Sequence, residues 1–140
     1  ALQQKALQTA GIKVTIKSVP SDPFFPDYVL VGKFDITIFS WIGTPFPISS
    51  AQSIYMSNGD QNYAKIGTPE IDSLYKQAVS ELDPAKATDL TYQIDQKIWE
   101  EGHSLALYQR PDLVATKSNL VNFGSKGFAD YVYEDIGFKK

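Results

Sequence analysis

The chain contains no cysteine, so disulfides and thiolate metal sites within it are excluded. It has a single histidine, His103, and a zinc site would therefore need carboxylates almost alone, a poor donor set for that metal. No GxGxxG, GxxxxGK[ST] or GxSxG occurs, so the common phosphate-cradling loops and the strained serine turn are absent. No Lys/Arg cluster stands out and the formal charge is -3, which argues against a nucleic-acid partner. No apolar run approaches the roughly 20 residues of a membrane span. What is present is a globular composition: 140 residues, 43% hydrophobic and 21% charged, enough for one core.

The acidic pairs Glu100/Glu101 and Glu134/Asp135 are sequence neighbours. Adjacent residues on a helix do not share a face, so the first pair reads as solvated surface rather than an acid/base couple. The loop around Asp60 has a calcium-like composition but lacks the EF-hand spacing and closing glutamate. His103, just after a helix end and a glycine, reads as a C-terminal cap or a surface residue. Neither a catalytic constellation nor a cofactor or metal site is expected. An enzyme built from carboxylates or tyrosines distant in sequence is the remaining catalytic alternative.

Hydrophobic periodicity predicts the elements. "ALQQKALQTA" reads as a helix closed by Gly11, so no signal peptide is read there. A helical pattern running off the first residue without a cap or an initiating Met predicts a piece of a longer protein. Residues 12–19, "IKVTIKSV", alternate with period two and predict a half-buried strand. Ser21-Asp22-Pro23 predicts a helix running to Val31, with Pro26 awkwardly in its first turn and Gly32 at its end. Residues 34–41 predict a second strand. Helix, strand, helix, strand in succession predicts parallel α/β units. A short helix is expected over 49–56, then a loop, "SNGDQN". Thr68-Pro69-Glu70 and Asp83-Pro84 each predict a helix start, the second helix running to about Glu101 and closed by Gly102. Their apolar stripes are Ile71, Leu74, Tyr75 and Ala78, and Ala87, Leu90, Ile94 and Ile98. Residues 104–108 and 112–117 predict two short strands.

Several of these pieces, in this order, resemble one family. "KALQTAGIKVTIKSV", "GKFDITIFSW" and "NYAKIGTPEIDSLYKQAVSELDPAKATDLTYQIDQKIWEEGHSLALYQRPDLVA" are similar to the extracellular solute-binding proteins of ABC importers. The likeness is to the peptide-and-nickel class, family 5, and within it to actinobacterial dipeptide- or oligopeptide-binding lipoproteins. The resemblance implies an α/β fold, one lobe of a type II periplasmic-binding-protein-like architecture with a mixed sheet flanked by helices. It implies that residues 1–118 form the C-terminal ligand-binding lobe, incomplete at its N-terminus, and that residues 119–140 form a tail returning to a first lobe outside this chain. It also implies a location at the extracellular face of the membrane, lipid-anchored, or in the periplasm.

The same resemblance bears on function. It implies a receptor that closes two lobes over a small solute, an oligopeptide or dipeptide, and presents it to a membrane permease. Ligands of open α/β sheets bind beyond the carboxyl ends of strands. Trp41 ends such a strand, and Gly43, Thr44 and Phe46 follow on a Gly/Pro-rich turn. In peptide-binding relatives an Asp a few residues after the Trp holds the peptide amine; here Thr44 is the third residue after Trp41 and no acid occurs before Ser50. Tyr55, Asn62, Tyr63 and Gln109 complete the candidate ligand-binding set, with Arg110 beside it. A packing role for Trp41 and Phe46 at a lobe edge, a non-peptide solute, and an envelope scaffold of the same fold without transport remain the alternatives.

Overall fold

The computed structural model describes residues 2–139. The chain divides into two compact units, Ala1–Phe39 and Ser40–Lys140.

The first unit opens with helix α1, Leu2–Thr9. Its end follows from Gly11, whose φ of 79° lets the Ile12 N–H reach Leu7 O at 2.9 Å and the Gly11 N–H reach Gln8 O at 3.0 Å. Gln4 Nε2 donates to Val14 O at 3.0 Å, tying the following segment back to α1. The predicted helix over 21–31 is present in altered form. Pro20, not Ser21, holds the cap position of a single helical turn, α2, Ser21–Pro23, and the chain then widens into a π-helical stretch, Phe24–Val29. Pro26 explains the widening: its ring crowds the carbonyl four residues back and it has no N–H to give. The bonds become i→i+5, with Leu30 N donating to Phe25 O at 2.9 Å. Val29 is the buried residue of this unit, and Phe24, Phe25 and Phe39 meet edge to face around it in sequence.

The second unit is built on three helices. Helix α3, Pro47–Tyr55, starts two residues before the predicted span, with Pro47 in the first turn. Helix α4, Pro69–Ser80, begins as predicted: Thr68 accepts from the Ile71 N–H and Pro69 occupies the first position. Helix α5, Pro84–Glu100, begins on Asp83, which accepts from the Ala85 and Lys86 N–H groups. The two apolar stripes meet. Ile71, Tyr75 and Ala78 of α4 and Ile94 and Ile98 of α5 form the buried cluster, with Ile48, Ala51, Tyr55, Met56, Leu74 and Leu90 packed around it. Burial raises the pKa of the Tyr75 phenol, with the nearby Tyr55 and Asp95 adding to the effect. Lys97 clasps the pair from outside, 3.3 Å from Glu70 and 3.1 Å from Glu100.

The predicted mixed sheet is where sequence and structure part. Residues 12–19, 34–41, 104–108 and 112–117 carry no ladder. The ladder among the described residues is an antiparallel pair, β1, Leu120–Val121, against β2, Gly137–Phe138, in register Leu120↔Phe138 and Val121↔Gly137. A period-two pattern makes a strand only when another strand lies alongside to take its N–H and C=O groups. Among the described residues none of the four segments is assigned to a ladder, and Ile16, Ile36 and Leu113 remain largely exposed. Among the described residues the content is still α/β, five α-helices and one small sheet.

Candidate functional site

The candidate residues named from sequence all fall within the second unit: Trp41, Gly43, Thr44 and Phe46 on the segment entering α3, Tyr55 at its end, Asn62 and Tyr63 on the loop that follows, and Gln109 after α5. The loop from Ser57 to Gly67 folds back on the end of α3. Gln61 N donates to Ser53 O at 2.9 Å, and the Ser53 hydroxyl lies 3.1 Å from Gln61 Oε1. Gly59 passes so close to α3 that a Cβ there would sit 2.2 Å from Ser53 O; Gly67 likewise approaches Ser57, 2.7 Å from its Cα. Ser57 is anchored on α4: its N–H donates to Asp72 Oδ1 at 2.8 Å and its hydroxyl to Asp72 Oδ2.

Asn62 is the keystone of this loop and is 1% exposed. Its Nδ2 donates to Met56 O at 3.0 Å and to Ile66 O at 2.7 Å, and its Oδ1 lies 3.2 Å from His103 Nε2. Two carbonyl acceptors fix the amide orientation, so Oδ1 is the acceptor and His103 Nε2 carries the proton. Asn62 thus holds the loop in shape and has no polar group left for a ligand.

His103 departs from its sequence reading. Its backbone closes α5: the His103 N–H reaches Ile98 O at 3.2 Å and the Gly102 N–H reaches Trp99 O at 3.1 Å, with Gly102 at φ 65°. Its ring, expected at a surface, turns inward instead and packs edge-on against Tyr55 with centroids 4.8 Å apart. The Tyr55 hydroxyl in turn accepts from Ser104 Oγ at 3.4 Å. His103 Nδ1 is buried without a hydrogen-bond partner. Burial lowers the imidazole pKa below its ordinary value; the nearby Ile54 carbonyl opposes this without forming a well-made bond to Nδ1. A lone His after a glycine gives no sequence signal for this inward turn, because its partner Asn62 lies 41 residues away.

The loop places Tyr63 against Trp41, the rings stacked with centroids 5.8 Å apart and 18° between planes. Trp41 remains 42% exposed and Phe46 73% exposed. The turn between them is closed by its own polar groups. Phe46 N donates to Thr44 Oγ1 at 3.2 Å, Thr44 Oγ1 and Ser50 Oγ are 2.7 Å apart, and Ser50 Oγ donates to Phe46 O at 2.7 Å. With one proton per hydroxyl, the consistent arrangement is a ring: Phe46 N–H to Thr44, Thr44 O–H to Ser50, Ser50 O–H to Phe46 O. Thr44, a candidate for ligand contact, spends its hydroxyl inside the turn. Gly43 carries the ring of Phe128 against its backbone: a Cβ there would lie 3.3 Å from Phe128 Cζ.

The structure therefore stacks Trp41 on Tyr63, ties Thr44 to Phe46 in the turn that follows Gly43, and joins both Tyr55 and Asn62 to His103. Gln109 is exposed in the segment after α5; beside it Arg110 Nη1 donates to Ser40 Oγ at 3.3 Å. Among the described residues no group of three or more His, Asp or Glu side chains could hold a metal ion, and no helix is long and apolar enough to cross a membrane.

No protein-family model matches the chain. Curated proteins do. The oligopeptide-binding protein OppA of Mycobacterium bovis is 46% identical over 139 residues, covering 99% of this chain and 24% of its own length. The proteins of the same name from two strains of Mycobacterium tuberculosis give the same identity and coverage. The chain thus spans 24% of the length of these curated relatives. The match spans nearly the whole chain, and so includes the stretches that carried the resemblance. Over nearly its whole length the chain is thus similar to one segment of proteins named for oligopeptide binding.

Proposed function

We propose that this chain supplies one wall of the ligand site in a two-lobe receptor that delivers oligopeptides to an ABC permease. The observation that carries the reading is the exposed aromatic face of Trp41 and Phe46. Trp41 is backed by Tyr63, and Tyr63 is held by a loop whose own hydrogen bonds are satisfied. An exposed tryptophan on a rigid support is a preorganised contact surface, since little side-chain entropy is lost when a ligand covers it. The 46% identity to proteins named for oligopeptide binding supplies the ligand class.

In this reading Trp41, Tyr63 and Phe46 touch the ligand. Gly43, Thr44, Tyr55 and Asn62 hold them in place, and Gln109 borders the site. Residues 1–118 form most of one lobe, incomplete at its N-terminus, and residues 119–140 form a tail to the other. The other lobe supplies the facing wall, and closure around the ligand creates the form that the permease recognises. The receptor works outside the cell membrane, on a lipid anchor or in the periplasm, and carries out binding without catalysis.

The test is titration calorimetry of the full-length protein, freed of bound ligand by unfolding and refolding, against pentaalanine and mixed-sequence pentapeptides. Saturable binding is expected, weakened by about tenfold or more in Trp41→Ala, the scale of losing one buried aromatic contact. A refolded protein that ignores all these peptides, or a Trp41→Ala variant that binds them unchanged, overturns the reading.

A further inference from the structure

From Ile36 through Gly59 the sequence contains no charged residue, in a chain where 21% of residues are charged. This run includes both exposed members of the aromatic face and the whole of α3. Its flanking charges are Asp35 and Asp60, and Lys65 follows on the Tyr63 loop. Arg110 is the cation that reaches the run by a hydrogen bond, and it does so at Ser40.

The hydroxyls of the turn that leads into α3 are also committed. The N–H and C=O of Phe46 and the hydroxyls of Thr44 and Ser50 complete one closed ring. The Ser49 hydroxyl also donates to Phe46 O, at 3.2 Å. The Ser53 hydroxyl donates to Ser50 O at 3.0 Å. What the turn offers outward is ring and aliphatic surface: Trp41, Ile42 at 93% exposed, and Phe46.

We propose that this face is a specificity subsite for a large uncharged side chain of the ligand, aromatic or branched aliphatic, and that it discriminates against charged side chains. This deepens the peptide-binding reading and rests on it. A charged side chain laid on these rings gives up water and finds no counter-charge within the run, and the Thr44 and Ser50 hydroxyls beside it are already engaged with each other and with Phe46. An apolar side chain gains the buried area of an indole and a phenyl ring at no cost in charge desolvation. A cation could still be drawn to the face of an aromatic ring. The subsite gives it no carboxylate, so Lys ranks below Phe and Leu and above Asp.

The experiment uses the full-length protein and pentaalanine carrying Phe, Leu, Lys or Asp at each position in turn, read by calorimetry. At one position Phe and Leu are expected to bind about tenfold tighter than Ala and Asp at least as much weaker, the scale of burying one apolar side chain against stranding one charge. In Trp41→Ala and Phe46→Ala the Phe-over-Ala preference at that position collapses, whereas in Lys76→Ala, on the exposed side of α4, it persists. If the peptides bind but Lys equals or exceeds Phe, the face is a cation site; if Asp does, Arg110 is the anchor. Either result overturns this inference while leaving peptide binding standing. If no peptide binds, both fall together.

Discussion

Asn62 offers the sharpest test of how the site is held. Replacing it by Ala removes two donations, to Met56 O and Ile66 O, and the acceptor of His103 Nε2–H, in a position 1% exposed to water. Three buried groups lose partners at about 1 kcal/mol each, so Asn62→Ala should cost about 3 kcal/mol. Asn62→Asp separates shape from hydrogen bonding. It keeps the volume and the acceptor facing His103, but aims the other carboxylate oxygen at two carbonyls. That charge is relieved by a proton on the carboxyl or on His103, so the imidazole pKa should rise from its burial-depressed value. Urea unfolding followed by Trp fluorescence measures the first effect, and NMR titration of the single histidine the second. An Asn62→Ala cost below about 0.5 kcal/mol, or an imidazole that titrates unchanged in Asn62→Asp, would refute the keystone assignment.

The remaining predictions concern the same scaffold. Burial holds the His103 pKa below its ordinary value of 6.5, so the unfolded chain binds its proton first. The stability contributed is complete above pH 6.5 and is lost as pH falls from there through the folded-state value; a urea midpoint with no fall toward pH 5, or an equal fall in His103→Gln, would contradict this. Gly59→Ala forces a Cβ to within 2.2 Å of Ser53 O, so the loop must lift away from α3. That should cost about 1–3 kcal/mol and change the emission of Trp41 as Tyr63 moves off it, a change Gly124→Ala should not produce. Asp83→Ala removes the acceptor of the Ala85 and Lys86 N–H groups and should cost about 1 kcal/mol, with Asp83→Asn restoring most of it.

The parts of the fold that were legible in sequence are those whose cause is local. Thr68-Pro69 and Asp83-Pro84 cap their helices because a short acceptor side chain and a fixed φ act within three residues. Gly11 and Gly102 end theirs for equally local reasons. The stripes of α4 and α5 found each other because two amphipathic helices joined by three residues pack as neighbours. The strands were not legible in the same way. Ile12, Val14 and Ile16 alternate correctly, but a ladder is a relation between two segments and alternation describes one. The converse holds at β1 and β2, where two residues pair with two and leave no periodicity to see. Trp41 and Tyr63 could each be singled out from sequence; their stacking depends on a loop whose fold is set by Asn62, His103 and Gly59, residues that carry no shared pattern.

That dependence is also what ties the proposed subsite to the core. The helix-end bonds that turn the chain at Gly102 aim His103 inward. His103 meets Asn62, Asn62 shapes the loop, and the loop delivers Tyr63 to the back of Trp41. Each step uses a group that is buried or closed by its own partners, leaving the rings of Trp41 and Phe46 outward. A contact surface built this way discriminates by shape and by the cost of stranding charge, because the hydroxyls beside it are engaged in holding the turn together. The charge-free run from Ile36 to Gly59 has the same consequence. Adding a carboxylate there, as in Ser49→Asp, would supply the counter-charge the face lacks. It should shift the preference from Phe toward Lys at one ligand position, and an unchanged ranking would mean that selectivity is set by the facing lobe.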